Sequence, residues 1–171
     1  MLAEHTDALQ CLLDKREIEE LVLRYCRAVD RHDWDALRQL YHDDAIDDHG
    51  KLFKGPAADY VQWLPTMMAR MRTTAHYVSN HSIALRGDMA EGEVYIVAHH
   101  LKVEPTGGEV QIRTGGRYLD RYSRRDGAWK FQHRKAVMDW NEVQPSLQRW
   151  PVETAPLRED PSWEFFQWLG K

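Results

Sequence analysis

The stretch that decides the fold runs over residues 76–103 and reads HYVSNHSIALRGDMAEGEVYIVAHHLKV. Apolar and polar residues alternate on both sides of the Gly-Asp pair at 87–88. This period of two predicts a pair of long strands joined by a tight turn. Antiparallel pairing of the two strands follows from so short a connection.

The same alternation continues downstream, in VQIRTGGRYLDRYSR (110–124) and in AWKFQHRKAVMDW (128–140). An Asp-Gly pair at 126–127 separates the two runs and predicts a second tight turn. The glycines at 115–116 interrupt the first run, which is typical of a bulge or bend that curves a sheet. We therefore expect a meander of consecutive antiparallel strands.

Upstream of the strands the apolar period changes to that of a helix. An apolar stripe at helical spacing predicts a first helix from about Asp14, a candidate cap, to Arg31. Its members are Ile18, Leu21, Val22, Tyr25, Cys26 and Val29.

Two further helices are predicted before the strands begin. Asp33 is a candidate N-cap for a short helix whose apolar residues are Trp34, Leu37, Leu40 and Tyr41. The segment HDDAIDDHGKLFKGP (42–56) alternates too weakly to predict a strand. After it, Tyr60, Trp63, Leu64, Met67 and Met68 indicate a third helix.

Helices followed by long antiparallel strands predict an α+β domain in which a curved sheet wraps over the helices. A chain of 171 residues suits one such domain, which we place at 1–141. Residues 142–171 are rich in proline and end in the apolar cluster of Trp163, Phe166, Trp168 and Leu169. We expect this tail to pack on the domain, on a partner subunit or at the mouth of a pocket.

Charge and composition exclude several classes of protein. The net charge is −4 with interspersed basic and acidic residues, which argues against nucleic acid as a partner. No stretch is apolar enough to span a membrane and the first ten residues do not resemble a secretion signal, so we expect a cytoplasmic protein without a membrane partner. Cys11 and Cys26 both fall in the predicted helical region and do not suggest a disulfide framework or a Cys-based zinc site.

Asp30 is the first candidate for chemistry. It follows Cys26 by four residues, so its carboxylate lies at the edge of the apolar stripe. The simpler alternative is a helix-end aspartate paired with Arg27 or Arg31.

Several strand residues are further candidates. His76 lies where the helical region passes into the first long strand, and His99 shares a strand face with Tyr95 and Val97. Each histidine could equally be a hydrogen-bonded structural residue. Arg134 lies in the last strand, but strict alternation places it opposite Trp129 and Phe131, so it reaches a cavity only if a bulge intervenes or the aromatic residues face outward.

The order of a helix aspartate, a first-strand histidine and a last-strand arginine resembles the SnoaL-like branch of the nuclear transport factor 2-like superfamily. The resemblance covers about residues 14–140 and rests on RYCRAVDRHDWDAL, TTAHYVSNHSI, GGRYLDRYSRRDGAWKF and HRKAVMDW. Similar proteins include scytalone dehydratase, hexachlorocyclohexane dehydrochlorinase and bile acid 7α-dehydratase. The resemblance implies a cone-shaped fold and a homodimer or homotrimer.

The resemblance also implies roles for individual residues. His76 would be a general base oriented by Asp30, and Tyr25, Arg134 and His99 would assist, with His100 as the competing alignment for His99. Tyr118, Trp63 and Tyr95 are candidates for substrate binding. The serine and asparagine of the scytalone dehydratase pocket fall at Gly116 and Tyr118, so a different substrate is expected.

These expectations together describe a lyase without cofactor or metal. It would eliminate water, or formaldehyde from a phenylpropanoid-type alcohol, from an aromatic or polycyclic substrate, since an imidazole is largely free base at neutral pH. The alternatives are an isomerase or polyketide cyclase of the same fold, and a noncatalytic binding module or β-subunit. A metal site at His76, His81, His99 and His100 is a further alternative, although the sequence has no local HxH or HExxH spacing.

Overall fold

The computed structural model describes the backbone of residues 2–169 and the side chains of residues 7–167. Helix α1 spans Leu2–Asp30, so it begins well before the predicted start at Asp14. Asp14 does not cap it; the side chain is buried and accepts hydrogen bonds from Arg124 and from the indole of Trp129. The predicted apolar stripe of α1 is confirmed, since each of its members is at most 5% exposed.

The segment after α1 is helical and then extended. Helix α2 is Trp34–Gln39, and the predicted N-cap is confirmed because the Asp33 carboxylate accepts from Ala36 N at 3.0 Å. Strand β1 (Tyr41–Asp48) and the short strand β2 (Lys54–Pro56) then precede helix α3 (Ala57–Met68). Strand β1 lies in the segment for which the sequence predicted no strand.

The long strands follow the predicted pattern. They are β3 (Met71–Arg86), β4 (Met89–Val103), β5 (Glu109–Arg125) and β6 (Ala128–Pro145). The six-stranded sheet has the order β2-β1-β6-β5-β4-β3, and its pairs are antiparallel except for the parallel pair of β1 with β6. The curved sheet packs against α1 and α3, which confirms the cone-shaped α+β fold.

Bulges in the pairing of β5 with β6 shape the sheet. The register shifts at Gly115 and Gly116, as predicted, and a Cβ on Gly116 would lie 2.2 Å from the carbonyl oxygen of Val137. A second shift leaves Gln132 without an opposite residue. That extra residue puts Arg134 on the same buried side as Phe131, because it reverses the alternation.

The C-terminal segment returns to the end of α1. Strand β6 continues past residue 141, and the chain then forms a 3₁₀ turn at Leu157–Glu159, helix α4 (Pro161–Phe165) and a 3₁₀ turn at Phe166–Leu169. Leu157 N donates to Arg31 O at 2.8 Å, and Asp160 lies 3.0 Å from Arg31 Nε. The side chains of Trp168 and Leu169, part of the predicted apolar cluster, lie outside the described residues.

Across residues 2–169 no helix combines the length and the apolar character that a bilayer span requires.

Candidate functional site

A cavity of about 220 Å³ lies between the helices and the inner face of the sheet. Aromatic rings and methionine side chains dominate its wall: Tyr25, Tyr60, Trp63, Tyr118, Met67, Met68, Met71 and Met138. Besides the tyrosine hydroxyls, the polar side chains that line it in the described part of the chain are His49, His76, His100 and Thr114. An apolar cavity with a few convergent polar groups is typical of a small-molecule site.

A larger groove of about 560 Å³ crosses the outer face of the same sheet. Charged side chains line it, among them Glu91, Glu93, Arg121 and Lys135. None of the three cavity histidines borders this groove. The inner cavity is therefore the better candidate for chemistry.

Asp30 and His76 form a hydrogen-bonded pair at the edge of the inner cavity. Asp30 ends α1, and its Oδ1 lies 2.7 Å from His76 Nδ1 while its Oδ2 accepts from His76 N at 3.0 Å. An ionised carboxylate is only an acceptor, so the proton of the neutral ring resides on Nδ1. Nε2 is then the nitrogen with a free lone pair, on a ring that lines the cavity.

His100 lies beside this pair with its ring centroid 5.8 Å from that of His76. Burial, reinforced by the neighbouring His76, lowers the pKa of His100 from 6.5 to about 4. Its Nδ1 is 3.1 Å from the hydroxyl of Thr74. His100 is therefore a neutral hydrogen-bonding group at neutral pH.

Two tyrosines on the cavity wall hydrogen-bond to each other. The hydroxyls of Tyr25 and Tyr60 are 2.9 Å apart. Burial is the main cause that raises the pKa of both phenols well above the ordinary value. Both therefore stay protonated near neutral pH. Because one hydroxyl donates to the other, the remaining O–H proton is the one available to an oxygen of a bound molecule.

A second Asp–His pair stands at the end of β1. His49 Nδ1 lies 2.5 Å from Oδ1 of Asp47, whose side chain is fully buried. Asp47 Oδ2 also accepts from the hydroxyl of Tyr41 at 2.7 Å. The ring of His49 stacks on Tyr60 with centroids 4.9 Å apart, and it lines the cavity.

Arg134 is enclosed behind the cavity wall. Its side chain is fully buried and donates two hydrogen bonds to Asp120, at 2.8 and 2.7 Å. The guanidinium lies 4.0 Å from the ring centroids of both Tyr25 and Tyr118. It therefore supports two cavity tyrosines from behind by cation–π contact.

No cluster of three or more His, Cys, Asp or Glu residues that could hold a metal ion occurs within the described residues. In particular, His99 and His100 project from opposite faces of β4, since only His100 lines the cavity.

Comparison with known families supports this reading of the fold. Residues 10–135 match the family described as the SnoaL-like domain. The chain belongs to this family. An uncharacterised protein of Mycobacterium tuberculosis is 30% identical to the SnoaL-like chain over 83 residues, which are 47% of this chain and 56% of that protein. The match thus spans about half the length of this relative.

Solved structures similar to this SnoaL-like chain include two from the genus Novosphingobium. A protein assigned provisionally as a scytalone dehydratase, from Novosphingobium aromaticivorans, superposes with a TM-score of 0.69 and 22% identity over 85% of this chain and 93% of its own. A hexachlorocyclohexane dehydrochlorinase from Novosphingobium barchaimii gives 0.70 and 22%, over 85% and 98%. At this identity the likeness establishes the fold alone.

The structure brings together most of the residues that the sequence singled out. The carboxylate of Asp30 holds His76, whose ring lines the SnoaL-like cavity together with Tyr25, Trp63 and Tyr118.

Two predicted positions lie on the wrong face of β4. Tyr95 and His99 are absent from the wall of the inner cavity, and Tyr95 is 43% exposed. The alternate residues Ile96, Ala98 and His100 line the cavity instead. His100 therefore replaces His99 as the cavity histidine of this strand, and Tyr95 cannot contact a ligand there.

Arg134 is also corrected. The bulge at Gln132 turns it inward, but the rings of Tyr25 and Tyr118 lie between its guanidinium and the cavity. Its guanidinium therefore contacts two tyrosines of the cavity wall and not the cavity itself.

Sequence reasoning missed His49, Asp47 and Tyr60 as site residues. The signal for the first two was the Asp-x-His spacing, which places two side chains on one face of a strand. Tyr60 was recognised as part of the apolar stripe of α3 and not as a polar group of the cavity.

Proposed function

We propose that this protein is a cofactor-independent lyase in which His76 is the general base and Asp30 orients it. The observation that carries the proposal is the 2.7 Å hydrogen bond between Asp30 Oδ1 and His76 Nδ1, which leaves Nε2 free on the cavity side. A base in that position can remove a proton from a carbon of a bound substrate. Asp30 stabilises the imidazolium that results.

The reaction is an elimination. The C–H proton moves to Nε2 of His76, the C–H electron pair becomes a C=C bond, and the bond from the adjacent carbon to oxygen breaks. The leaving oxygen takes up a proton and departs as water. Loss of formaldehyde from a phenylpropanoid-type alcohol is the alternative. His76 takes the hydroxyl proton, C=O forms as the C–C bond breaks, and the carbon that keeps the electron pair takes the proton back from His76.

The cavity favours an aromatic substrate of modest size. Its aromatic and thioether wall suits stacking on a ring, and the phenols of Tyr25 and Tyr60 suit an oxygen substituent. The volume of about 220 Å³ is below the roughly 300–1,000 Å³ of typical drug-sized sites. A substrate with a single ring is therefore favoured over a polycyclic one.

An isomerase or cyclase would use the same base without losing a group, and the hydrogen-bonded phenols on the wall of the same cavity would also serve an enolate. The mass of the product separates these reactions, because isomerisation conserves mass and elimination lowers it. A noncatalytic module would need neither the cavity nor the hydrogen bond between Asp30 and His76, so the presence of both favours an enzyme.

The experiment is a mass-spectrometric screen of hydroxylated aromatic and steroid-like compounds with wild type, His76→Ala and His99→Ala. We expect a product lighter by water or by formaldehyde with wild type and with His99→Ala, whose histidine is outside the cavity. His76→Ala should be inactive while retaining the thermal unfolding of a folded protein. Turnover by His76→Ala at the wild-type rate would show that the proposed base is wrong.

A homodimer or homotrimer remains part of the proposal. The outer face of the sheet exposes Tyr77, Tyr95 and Val97, at 63%, 43% and 38%, which a subunit contact would cover. Light scattering of the purified protein tests this, and a monomer at all concentrations would contradict it.

A further inference from the structure

We propose that His49, held by Asp47, is a second proton-transfer residue of the cavity: the general acid that protonates the leaving oxygen while His76 removes the proton from carbon. His49 takes this role only if the elimination proposed above occurs. The Asp47–His49 pair, to which the proposal assigns this chemistry, was not recognised from the sequence.

His49 and His76 lie far apart in the order of the strands, but both line the same cavity. In the order β2-β1-β6-β5-β4-β3, His76 lies on the edge strand β3 and His49 follows β1, next to the other edge. Both rings nevertheless line the one inner cavity, because the sheet curves around it. A substrate between them can meet a base at one atom and an acid at another.

Asp47 fixes which nitrogen of His49 is available. The carboxylate is fully buried and is satisfied by the hydroxyl of Tyr41 and by Nδ1 of His49. A buried carboxylate needs such donors, since leaving a buried charge unpaired is strongly destabilising. Nδ1 therefore keeps its proton, and Nε2 is the nitrogen that exchanges protons with the cavity.

A purely structural role of His49 would account for the hydrogen bond of its Nδ1 to Asp47, but its Nε2 has no strong hydrogen-bond partner among the described residues. Its contact within the described residues is the hydroxyl of Tyr60 at 3.5 Å, the limit of a hydrogen bond. The ring is fixed by stacking on Tyr60 and remains 11% exposed, at the wall of the cavity. An oriented imidazole with spare hydrogen-bonding capacity toward a ligand cavity is what proton donation requires.

The elimination of water then balances between the two pairs. His76 accepts the carbon-bound proton, the electron pair forms C=C, and the C–O bond breaks. His49, as imidazolium, gives its Nε2 proton to the departing hydroxyl, which leaves as water. His76 returns to the free base and His49 regains its proton by exchange with solvent after product release.

The test compares two leaving groups on the same carbon skeleton. The probes are the alcohol that loses water fastest in the screen and its chloride analogue, because chloride departs as an anion without a proton. The variant is His49→Asn, whose side-chain amide can still donate to Asp47 but lacks the proton-exchanging nitrogen. His99→Asn is the matched control on the outer face.

We expect His49→Asn to lower kcat for the alcohol by about 10²–10⁴-fold and for the chloride by less than about tenfold. His99→Asn should match wild type on both probes. Equal losses on both probes, or no loss on the alcohol, would overturn the role of His49 alone. Absence of turnover by wild type, or a product lighter only by formaldehyde, would contradict it together with the loss of water from which it follows.

A second measurement does not depend on the folding of the variant. Nitrogen-15 NMR of the histidine side chains in wild-type protein should show the His49 proton on Nδ1 of the neutral ring. Addition of benzyl alcohol, a small cavity probe, should shift the His49 Nε2 resonance. A neutral ring that carries its single proton on Nε2 instead of Nδ1, or an Nε2 resonance that does not respond while that of His76 does, would overturn the proposal.

Discussion

Replacing Asp30 by asparagine removes one charge and keeps the shape of the side chain, so it tests the pair directly. The two carboxylate oxygens each accept from His76, one from the backbone N–H and one from Nδ1. An asparagine has one acceptor oxygen. Since the backbone N–H cannot change its role, the amide oxygen stays there and the NH₂ group faces Nδ1. The ring must then carry its proton on Nε2, where the base is needed.

We therefore expect kcat of Asp30→Asn to fall by about 10²–10⁴-fold, which corresponds to about 3–5 kcal/mol in the activation barrier. The lost charge-assisted hydrogen bond should lower the free energy of unfolding by about 1.5–3 kcal/mol. The assay is steady-state turnover of a compound found in the screen, with thermal unfolding measured in parallel.

Asp44→Asn is the matched control, because Asp44 is an exposed carboxylate paired with Arg125 on the surface. It should leave kcat unchanged. If Asp30→Asn keeps more than half of the wild-type kcat, the orientation of His76 by Asp30 has no part in the reaction and the reasoning is refuted.

Three further predictions concern stability. His100 in the unfolded chain binds a proton below about pH 6.5, whereas the folded chain does not bind it until about pH 4. The contribution of His100 to the free energy of unfolding is therefore complete above pH 6.5 and falls as the pH drops, by up to about 3 kcal/mol. His100→Gln should make the melting temperature depend less on pH between 6.5 and 4, and an unchanged dependence would contradict the burial argument. Gly116→Ala should cost about 1–3 kcal/mol, because the new Cβ would meet the backbone of β6, whereas Gly108→Ala, with nothing within 4 Å, should be near neutral in the same denaturant titration. Asp120→Ala leaves the guanidinium of Arg134 buried and unpaired and should cost about 3–5 kcal/mol; a cost under about 1 kcal/mol, as for an exposed ion pair, would show that water reaches the guanidinium.

The strands and turns were predictable because their signals are local. Apolar alternation and the Gly-Asp and Asp-Gly turns specify β3 to β6 within a few residues. Strand β1 was not predictable in the same way. It pairs in parallel with β6 and buries the polar Asp47 and His42, so the apolar alternation that marks a half-buried strand is missing. Because no strand was predicted there, the pair of Asp47 and His49 was not recognised from the sequence either.

The sequence also did not determine which face of β4 points into the cavity. Tyr95 and Val97 are apolar neighbours of His99, and this favoured an inward face, but the outer face of β4 is apolar as well. Alternation separates the two faces and cannot rank them when both are apolar. The bulge at Gln132 decides the position of Arg134. It depends on the pairing of β6 with β5, and the residues of β6 alone do not predict it.

The contacts at the end of α1 connect the C-terminal segment to Asp30 through a single peptide bond. Leu157 and Asp160 hold Arg31, and the next residue toward the N-terminus is Asp30. Ser162 adds a hydrogen bond to Arg27 one turn earlier. A truncation or purification tag at the C-terminus can therefore loosen the carboxylate that holds His76 and lower the proposed activity without touching the cavity. Where the tag is placed becomes a variable of every assay on this protein.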